Sequence, residues 1–328
     1  MIYPYSFCIP KNYIIRDVKK FNKKYDFVDN MTRNNKLYRF NANQEKEYHQ
    51  SYQNSFFSIT KKKAGWDSLR HYEIIANGCL PYFIDIKNCP ENSLMLWNND
   101  LKNLMFQIKT IRGVYPDHID FNNFDIKHYI NIRKKLINIL RKKYTTHNMA
   151  RYIIKTAGFN PEKIKKILYL VNKDKHQYKY HNLMILHGLK ILYGNNNVID
   201  YYKHKYLYKI NTDQELKIRE TIHGHGFTVC FLLDDTNENI NRDEPHIFNE
   251  IKSHNYDLIF VSDIYCMFLK KRKKSSDIII PPIWDYINKF YKKNEIILLD
   301  GADIHKSDLP HKLSDQGYNV FVRELSKY

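Results

Sequence analysis

Cysteine is scarce in this chain, and its residues form no motif. The sequence of 328 residues contains five cysteines, an odd number, and no CxxC pair. This argues against a disulfide framework and against a zinc site. Free thiols in a reducing compartment are the simplest account of the five: Cys8, Cys79, Cys89, Cys230 and Cys266.

Long apolar runs are also missing, although 43% of the residues are hydrophobic. No run approaches the roughly 18–20 apolar residues that a membrane span requires. The N-terminal segment MIYPYSFCIPKNY has neither a basic n-region nor an Ala-x-Ala cleavage site. We therefore expect a soluble, cytoplasmic, globular protein without a membrane span.

Several motifs of known chemistry are absent as well. The sequence contains no GxxxxGKS or GxxxxGKT, no GxGxxG, no HExxH and no GxSxG. It also lacks the two-Cys, two-His spacing of a zinc finger. These absences argue against a P-loop, a dinucleotide-binding fingerprint, a zincin protease and a serine hydrolase of the nucleophile-elbow type.

Acidic residues are too few to balance the basic ones. Lysine and arginine number 53 against 35 aspartates and glutamates, so the formal net charge is +18. Such a balance is typical of proteins that bind polyanions. However, Lys, Asn, Ile and Tyr are abundant together, as an AT-rich genome produces, and the lysines are scattered. We therefore do not expect nucleic acid as the partner, and the charge favours phosphorylated small molecules.

The segment 56–85, FFSITKKKAGWDSLRHYEIIANGCLPYFID, has the clearest pattern of a ligand site. Residues 56–60 are apolar and β-prone, three lysines and Gly65 follow, and Asp67 is a natural helix N-cap. Gly78 stands where a helix end favours positive φ, and a second buried strand follows it. The unit is therefore β-loop-α-β, with the helix start at the carboxyl end of a strand, where α/β sheets bind ligands.

An anionic ligand suits this unit. Unpaired N–H groups and the macrodipole at a helix start favour an anion by ~0.3–1 kcal/mol near the surface. Lys62, Lys63 and Arg70 add full charges, and Glu73 suits a ribose diol. The same residues also fit a purely structural interpretation, with the lysines in a solvated turn, Arg70 and Glu73 in an exposed ion pair, and Trp66 as a core anchor.

Alternating strand and helix patterns organise the rest of the chain. They predict an α/β fold with two Rossmann-like domains, each a parallel sheet flanked by helices. The polar stretch 172–181 marks the connection, which gives a first domain of residues 1–175 and a second of residues 176–328. Predicted strands lie at 56–60, 79–84, 182–186, 197–200, 228–233, 257–262, 295–300 and 319–322. Further predicted helices lie at 44–54, 91–96, 101–108, 126–144, 148–157, 244–253 and 284–291.

The run KKKAGWDSLRHYEIIANGCLPYF, followed from Cys89 by CPENS, resembles a signature of glycosyltransferases of the GT-B kind. These are remotely similar to the exostosin group and common in large DNA viruses and some bacteria. The second half is more loosely similar to the family's other Rossmann-like domain, through LMILHGLKILYGNNNVIDY, HGHGFTVCFLLDD, YDLIFVSDI, IILLDGADIH and VFVREL. The resemblance implies a metal-independent transfer from a nucleotide-diphosphate sugar to a glycan, protein or other acceptor, without a cofactor, in the host cytoplasm if the chain is viral.

The resemblance also implies roles for individual residues in the cleft of a GT-B enzyme. An inverting transferase needs a general base, for which Asp303 and His305 are the candidates, with Asp234 and Asp235 as runners-up. The chain has no Asp-x-Asp pair, which carries the metal of GT-A enzymes, so no metal site is expected. The implied donor-binding residues are Lys62, Lys63, Gly65, Trp66, Asp67, Arg70, His71 and Glu73.

Two departures from the family leave alternatives open. Relatives place the half that resembles residues 176–328 first, so this chain looks circularly permuted. Where the family has Gly-Glu-Asp-Ile-His, this chain has the residues 301–305, GADIH, with Ala302 in place of the glutamate. Where the family has a His-Arg pair, this chain has Tyr265 and Cys266. A catalytically inactive homologue is therefore one alternative, and a basic protein that binds nucleic acid or another polyanion is the second.

Three groups of basic or histidine residues have two interpretations each. His71 either donates to phosphate or is a buried histidine. His223 and His225 have a spacing that can bind metal, but their glycine neighbours more simply mark a turn. The run KKRKK at 270–274 is interpreted as a solvated loop, with polyanion contact as the minority view.

Overall fold

Two parallel sheets organise the fold, and helices flank both of them. The computed structural model describes residues 1–17, 22–28, 39–97, 99–170, 179–234, 240–262, 264, 281–303 and 308–324. The strands are β1 (Ile2–Pro4), β2 (Tyr25–Phe27), β3 (Ser55–Thr60), β4 (Leu80–Phe83), β5 (Ile167–Leu170), β6 (Val198–Tyr201), β7 (Leu258–Val261), β8 (Ile296–Asp300) and β9 (Asn319–Val322). The helices are α1 (Glu45–Gln53), α2 (Leu69–Ala76), α3 (Asn99–Ile108), α4 (Ile126–Lys143), α5 (Thr146–Thr156), α6 (Tyr180–Tyr193), α7 (Thr212–Thr221), α8 (Glu244–Lys252), α9 (Pro281–Phe290) and α10 (Leu309–Asp315).

The larger sheet has six strands in the order β1-β9-β8-β7-β5-β6, and the smaller sheet has the order β2-β3-β4. All of these pairings are parallel. From β5 onward the order of the larger sheet is second, first, third, fourth and fifth, which is a common doubly wound order. The predicted α/β class with parallel sheets flanked by helices is therefore confirmed.

The strands of the larger sheet carry apolar side chains on both faces. Ile167 and Tyr169 of β5 join one core cluster, while Leu168 and Leu170 join the other. This happens because successive strand residues point to opposite faces, and helices cover both faces of a parallel sheet. In the described part of the chain, no helix has the length and apolar character that a bilayer crossing requires.

The expected domain boundary between residues 175 and 176 does not separate the strands of one sheet from those of the other. Both β1 and β5 precede that point, yet they pair within the larger sheet, and the Tyr5 N–H donates to the Val322 carbonyl over 3.1 Å. Helix α5 also packs on α6, where a Cβ at Gly188 would lie 2.1 Å from the Thr146 carbonyl oxygen. The larger sheet is therefore built from both ends of the chain.

Three of the predicted strands and helices are wrong. Residues 182–186 form part of α6 rather than a strand, because this helix is buried on nearly all sides and shows no helical periodicity. Residues 228–233 turn instead of extending, with φ of 70° at Thr228 and 58° at Phe231. Residues 91–96 form turns rather than a helix. In the first two cases the run is apolar and buried, and its pattern does not determine the local conformation. In the third case Leu94 has a positive φ of 51°, which a helix cannot contain.

Candidate functional site: a cleft between the two sheets

A cavity of about 730 Å³ lies where segments that follow four strands meet. The loop after β3 and the start of α2 form one wall. The start of α6, which follows β5, forms the opposite wall together with the residues directly after β8 and β9. Carboxyl ends of strands from both sheets therefore open into one cleft, which is where α/β folds place their ligands.

Five of the predicted donor-binding residues line this cavity, and three do not. The five are Lys63, Gly65, Asp67, Arg70 and Glu73. Lys62 is exposed, and its main-chain N–H donates to the Asp85 carboxylate over 3.1 and 3.2 Å. Trp66 is buried and stacks on Phe83, with the ring centroids 6.1 Å apart. These two residues shape the loop from outside the cavity.

His71 lies in the core, outside the cavity lining. Its ring packs 4.7 Å from Phe83 and 5.7 Å from Trp97, centroid to centroid. Burial, with smaller contributions from Arg70 and Lys63, lowers the pKa of this imidazole to about 3, so it is neutral at pH 7. Of the two interpretations, the structure places His71 as a buried histidine.

Asp67 is not the N-cap of α2, in contrast to the prediction. The N-cap is Ser68, with φ −137° and ψ 136°, and it makes no side-chain capping bond. The Asp67 carboxylate instead accepts from the Phe7 N–H and from the Tyr72 hydroxyl, each over 2.7 Å. The first turn of α2 consequently faces the cavity without a side-chain cap.

Burial also changes the protonation of Asp67. It raises the pKa of this carboxyl group to about 6, although Arg323 and the two hydrogen bonds oppose the rise. Asp67 thus serves the site mainly by fixing the loop before α2, through contacts that reach Phe7 and Tyr72.

Glu73 faces the cavity from the middle of α2 and is only 5% exposed. One carboxylate oxygen accepts from the Tyr48 hydroxyl and the other from the Thr228 hydroxyl, each over 2.6 Å. These bonds join α1, α2 and the turn that follows α7. Each oxygen keeps a further lone pair, so the carboxylate can still accept from a ligand.

Lys63 and Arg70 place positive charge on the same wall. Lys63 is half-buried, and burial together with the charges of Arg70 and Lys61 lowers its pKa to about 8. It is therefore still protonated in most molecules at pH 7. The wall of α2 therefore carries two cations, Lys63 and Arg70, and the two carboxylates beside them, Asp67 and Glu73, already accept hydrogen bonds from neutral groups of the protein.

Arg323 is the main site residue that the sequence analysis missed. It lies directly after β9, is 3% exposed, and donates to the carbonyl of Gly301 over 3.0 and 3.2 Å and to the Asp303 carboxylate. Burial lowers the pKa of the guanidinium, but the carboxylates of Asp67, Asp303 and Glu324 outweigh it and raise the pKa above its usual value. In the sequence, the charged pair Arg323 and Glu324 directly follows the buried run VFV. This pattern could have indicated a site residue, because the positions directly after a strand border the edge of the sheet that binds ligands.

Gly65 lets the loop of the smaller sheet approach this arginine. A Cβ on Gly65 would lie 2.8 Å from Oε1 of Glu324 and 3.1 Å from the Arg323 guanidinium. The neighbouring Asp67 N–H donates to the same Glu324 oxygen over 2.5 Å. Glycine is therefore required here by space rather than by backbone conformation.

The predicted catalytic residues differ in position. Asp303 lines the cavity opposite α2, with its side chain 47% exposed. Asp234 is exposed and pairs with Lys209 over 2.8 Å, away from the cavity lining. The other predicted or weighed residues lie outside the described residues: His305, Asp235, Tyr265, Cys266 and the run 270–274.

His223 and His225 line the cavity from a turn. Gly224 and His225 both have positive φ, 68° and 56°, as the turn interpretation requires. His225 Nδ1 lies 3.0 Å from the Arg219 carbonyl oxygen. Within the described part of the chain, no group of three or more His, Cys, Asp or Glu side chains has the arrangement of a metal site.

Comparison of the chain with protein-family models, with curated proteins and with solved structures gives no match. The fold and the cleft define an α/β protein whose cavity, lined by both basic and acidic side chains, lies between the carboxyl ends of two parallel sheets.

Proposed function

We propose that this protein is a glycosyltransferase of the GT-B type, which transfers a sugar from a nucleotide-diphosphate sugar to an acceptor hydroxyl. The observation that carries the proposal is the convergence of Lys63, Arg70 and Glu73 on one wall of a single cavity, with Asp303 on the other. In this arrangement the smaller sheet holds the donor and the larger sheet holds the acceptor.

The start of α2 is the diphosphate site in this proposal. Its first-turn N–H groups have no side-chain cap, and the helix dipole favours an anion by ~0.3–1 kcal/mol. Lys63 and Arg70 add full charges, and a guanidinium can bind two phosphate oxygens at once. Positive charge held in place stabilises the diphosphate as it leaves, so these residues would assist the reaction as well as binding.

Glu73 is positioned to bind the ribose. Its carboxylate is held by Tyr48 and Thr228, and the oxygens retain lone pairs for the two ribose hydroxyls. It lies about one helical turn beyond Arg70, so ribose and diphosphate contacts follow each other along α2. The pre-arranged carboxylate reduces the entropy lost when the ligand binds.

Asp303 serves as the general base in an inverting transfer. The acceptor hydroxyl gives its proton to the Asp303 carboxylate while its oxygen forms a bond to the anomeric carbon. The bond between that carbon and the phosphate oxygen breaks, and the nucleoside diphosphate leaves with the electron pair. Arg323 positions the base, because it holds the Asp303 carboxylate.

Isothermal titration with uridine, guanosine and thymidine diphosphates and their sugars tests the donor site. We expect binding below millimolar concentration for at least one, and about tenfold weaker binding for Arg70→Ala, as for loss of a charged hydrogen bond. Lys61→Ala, an exposed lysine outside the cavity lining, is the control. The proposal fails if none of these compounds binds, or if Arg70→Ala and Glu73→Ala bind as the native chain does.

Turnover separates an active enzyme from an inactive homologue. We expect slow hydrolysis of the sugar donor, with water replacing the acceptor, and its loss in Asp303→Asn without loss of donor binding. Binding without any hydrolysis or transfer would favour the inactive homologue instead.

A further inference from the structure

The start of α6 forms the opposite wall of the cavity, and it is a second uncapped helix start. This helix has 14 residues, and its N-cap, Lys179, makes no side-chain capping bond. Lys179, Tyr180 and His181 all line the cavity. The α6 dipole and first-turn N–H groups therefore point toward the same space as those of α2, from the other sheet.

His181 provides an independent sign of a ligand. Its side chain lines the cavity and is 6% exposed, and Nε2 has no hydrogen-bond partner among the described residues. The ring lies against Gly301, where a Cβ would come within 1.9 Å of Nε2. A buried polar nitrogen without a partner is costly, and such groups mark the places where a bound molecule completes the hydrogen bonding.

Three carboxylates at or beside the cavity have partners of their own among the described residues. Asp303 and Glu324 pair with Arg323, and Asp67 bonds to Phe7 and Tyr72. Lys179 adds a positive charge at the N-cap itself. The wall thus combines a helix dipole, a cation and an imidazole, which together suit an anionic oxygen group.

We propose that the start of α6, with Lys179 and His181, binds an anionic group of the acceptor, either a phosphate or a carboxylate. The identity of this molecule as the acceptor rests on the proposed function, in which the donor diphosphate occupies the start of α2. Because two different helices hold the two anions, both can be bound at once. The protein is then selective for acidic or phosphorylated acceptors over neutral ones.

The test is a titration of inorganic phosphate into the protein, saturated with whichever nucleoside diphosphate binds. We expect phosphate to bind to this complex and Lys179→Gln to weaken it about threefold, as for loss of one charge near the surface. Lys135→Gln, on an exposed face of α4, is the matched control and should bind phosphate as the native chain does. Glucose 6-phosphate, glucuronate and glucose, used as competitors, distinguish a phosphate from a carboxylate.

Failure of the two proposals can be told apart. If nucleoside diphosphate binds but excludes phosphate, or if Lys179→Gln and Lys135→Gln bind phosphate equally, the α6 site is refuted while the donor site stands. If no nucleoside diphosphate binds, phosphate is titrated into the free protein. Weakening by Lys179→Gln then supports the α6 anion site, whereas weakening only by Arg70→Ala overturns it.

Discussion

The Arg323 guanidinium donates a hydrogen bond of 2.5 Å to the main-chain carbonyl of Asp67, although the two residues are 256 positions apart. This bond joins the end of the larger sheet to the loop that precedes α2 in the smaller one. Arg323 therefore sets the distance between the two walls of the cavity, with Gly65 allowing the close approach.

Replacement of Arg323 should be strongly destabilising. Arg323→Met leaves the buried carboxylates of Asp67 and Glu324 without their cation, so we expect the free energy of unfolding to fall by ~3–5 kcal/mol. Urea unfolding measures the change. The control is Arg151→Met, which removes an exposed ion pair with Glu162 and should cost no more than ~1 kcal/mol. Equal costs for the two variants would contradict the role given to Arg323.

Asp67 makes stability depend on pH. Because its folded pKa of about 6 lies above the usual value, its stabilising contribution is full below about pH 4 and is lost as pH rises through 6. Asp67→Asn lacks this dependence. We therefore expect the native chain to lose up to about 3 kcal/mol relative to Asp67→Asn between pH 4 and pH 7, measured by urea unfolding. A constant difference between the two proteins would refute the assigned pKa shift.

Lys63 should make anion binding weaken at alkaline pH. Its pKa of about 8 means that the amine loses its charge as pH rises through that value. The affinity for a nucleoside diphosphate should therefore fall between pH 7 and 9.5. Lys63→Arg keeps its charge and should show a flatter profile, while Lys61→Arg should titrate as the native chain does. Identical profiles for all three would show that Lys63 does not contact the ligand.

An added methyl group at Gly65 should separate the walls. Gly65→Ala forces contact with a buried ion pair that cannot easily move, so we expect a loss of ~1–3 kcal/mol in unfolding free energy. Nucleoside diphosphate affinity should fall as well. Ala64→Ser changes the adjacent exposed residue and should stay within ~0.5 kcal/mol. Native-like stability and binding in Gly65→Ala would contradict the close approach.

Local signals explain why parts of the fold could be predicted from the sequence. The prediction of a strand at 56–60 and of glycine at positive φ at position 78 is confirmed by β3 and by a φ of 67°. Asp125 caps α4 by accepting from the His128 N–H, and β9 matches its predicted bounds. Adjacent residues encode the cap at Asp125 and the strands β3 and β9, whereas the predicted cap at Asp67 and the predicted strands at 182–186 and 228–233 were wrong.

The parts of the fold that could not be predicted depend on contacts between residues that are distant in the sequence. The strand at 167–170 and the membership of β1 in the larger sheet depend on pairing across the chain. In the site, Lys63, Arg70 and Glu73 stand on one local motif and could be proposed from it. The contact of Arg323 with Asp67 depends on the packing of one sheet against the other, and the position of His181 depends on the contact of α6 with Gly301 after β8.

The most direct test of the account is a crystal structure of the protein with a bound nucleoside diphosphate. The account predicts the diphosphate at the start of α2, within hydrogen-bond distance of Arg70 and Lys63, and the ribose hydroxyls at Glu73. A nucleotide bound outside the cleft, or one in the cleft whose phosphates contact neither Arg70 nor Lys63, would contradict it.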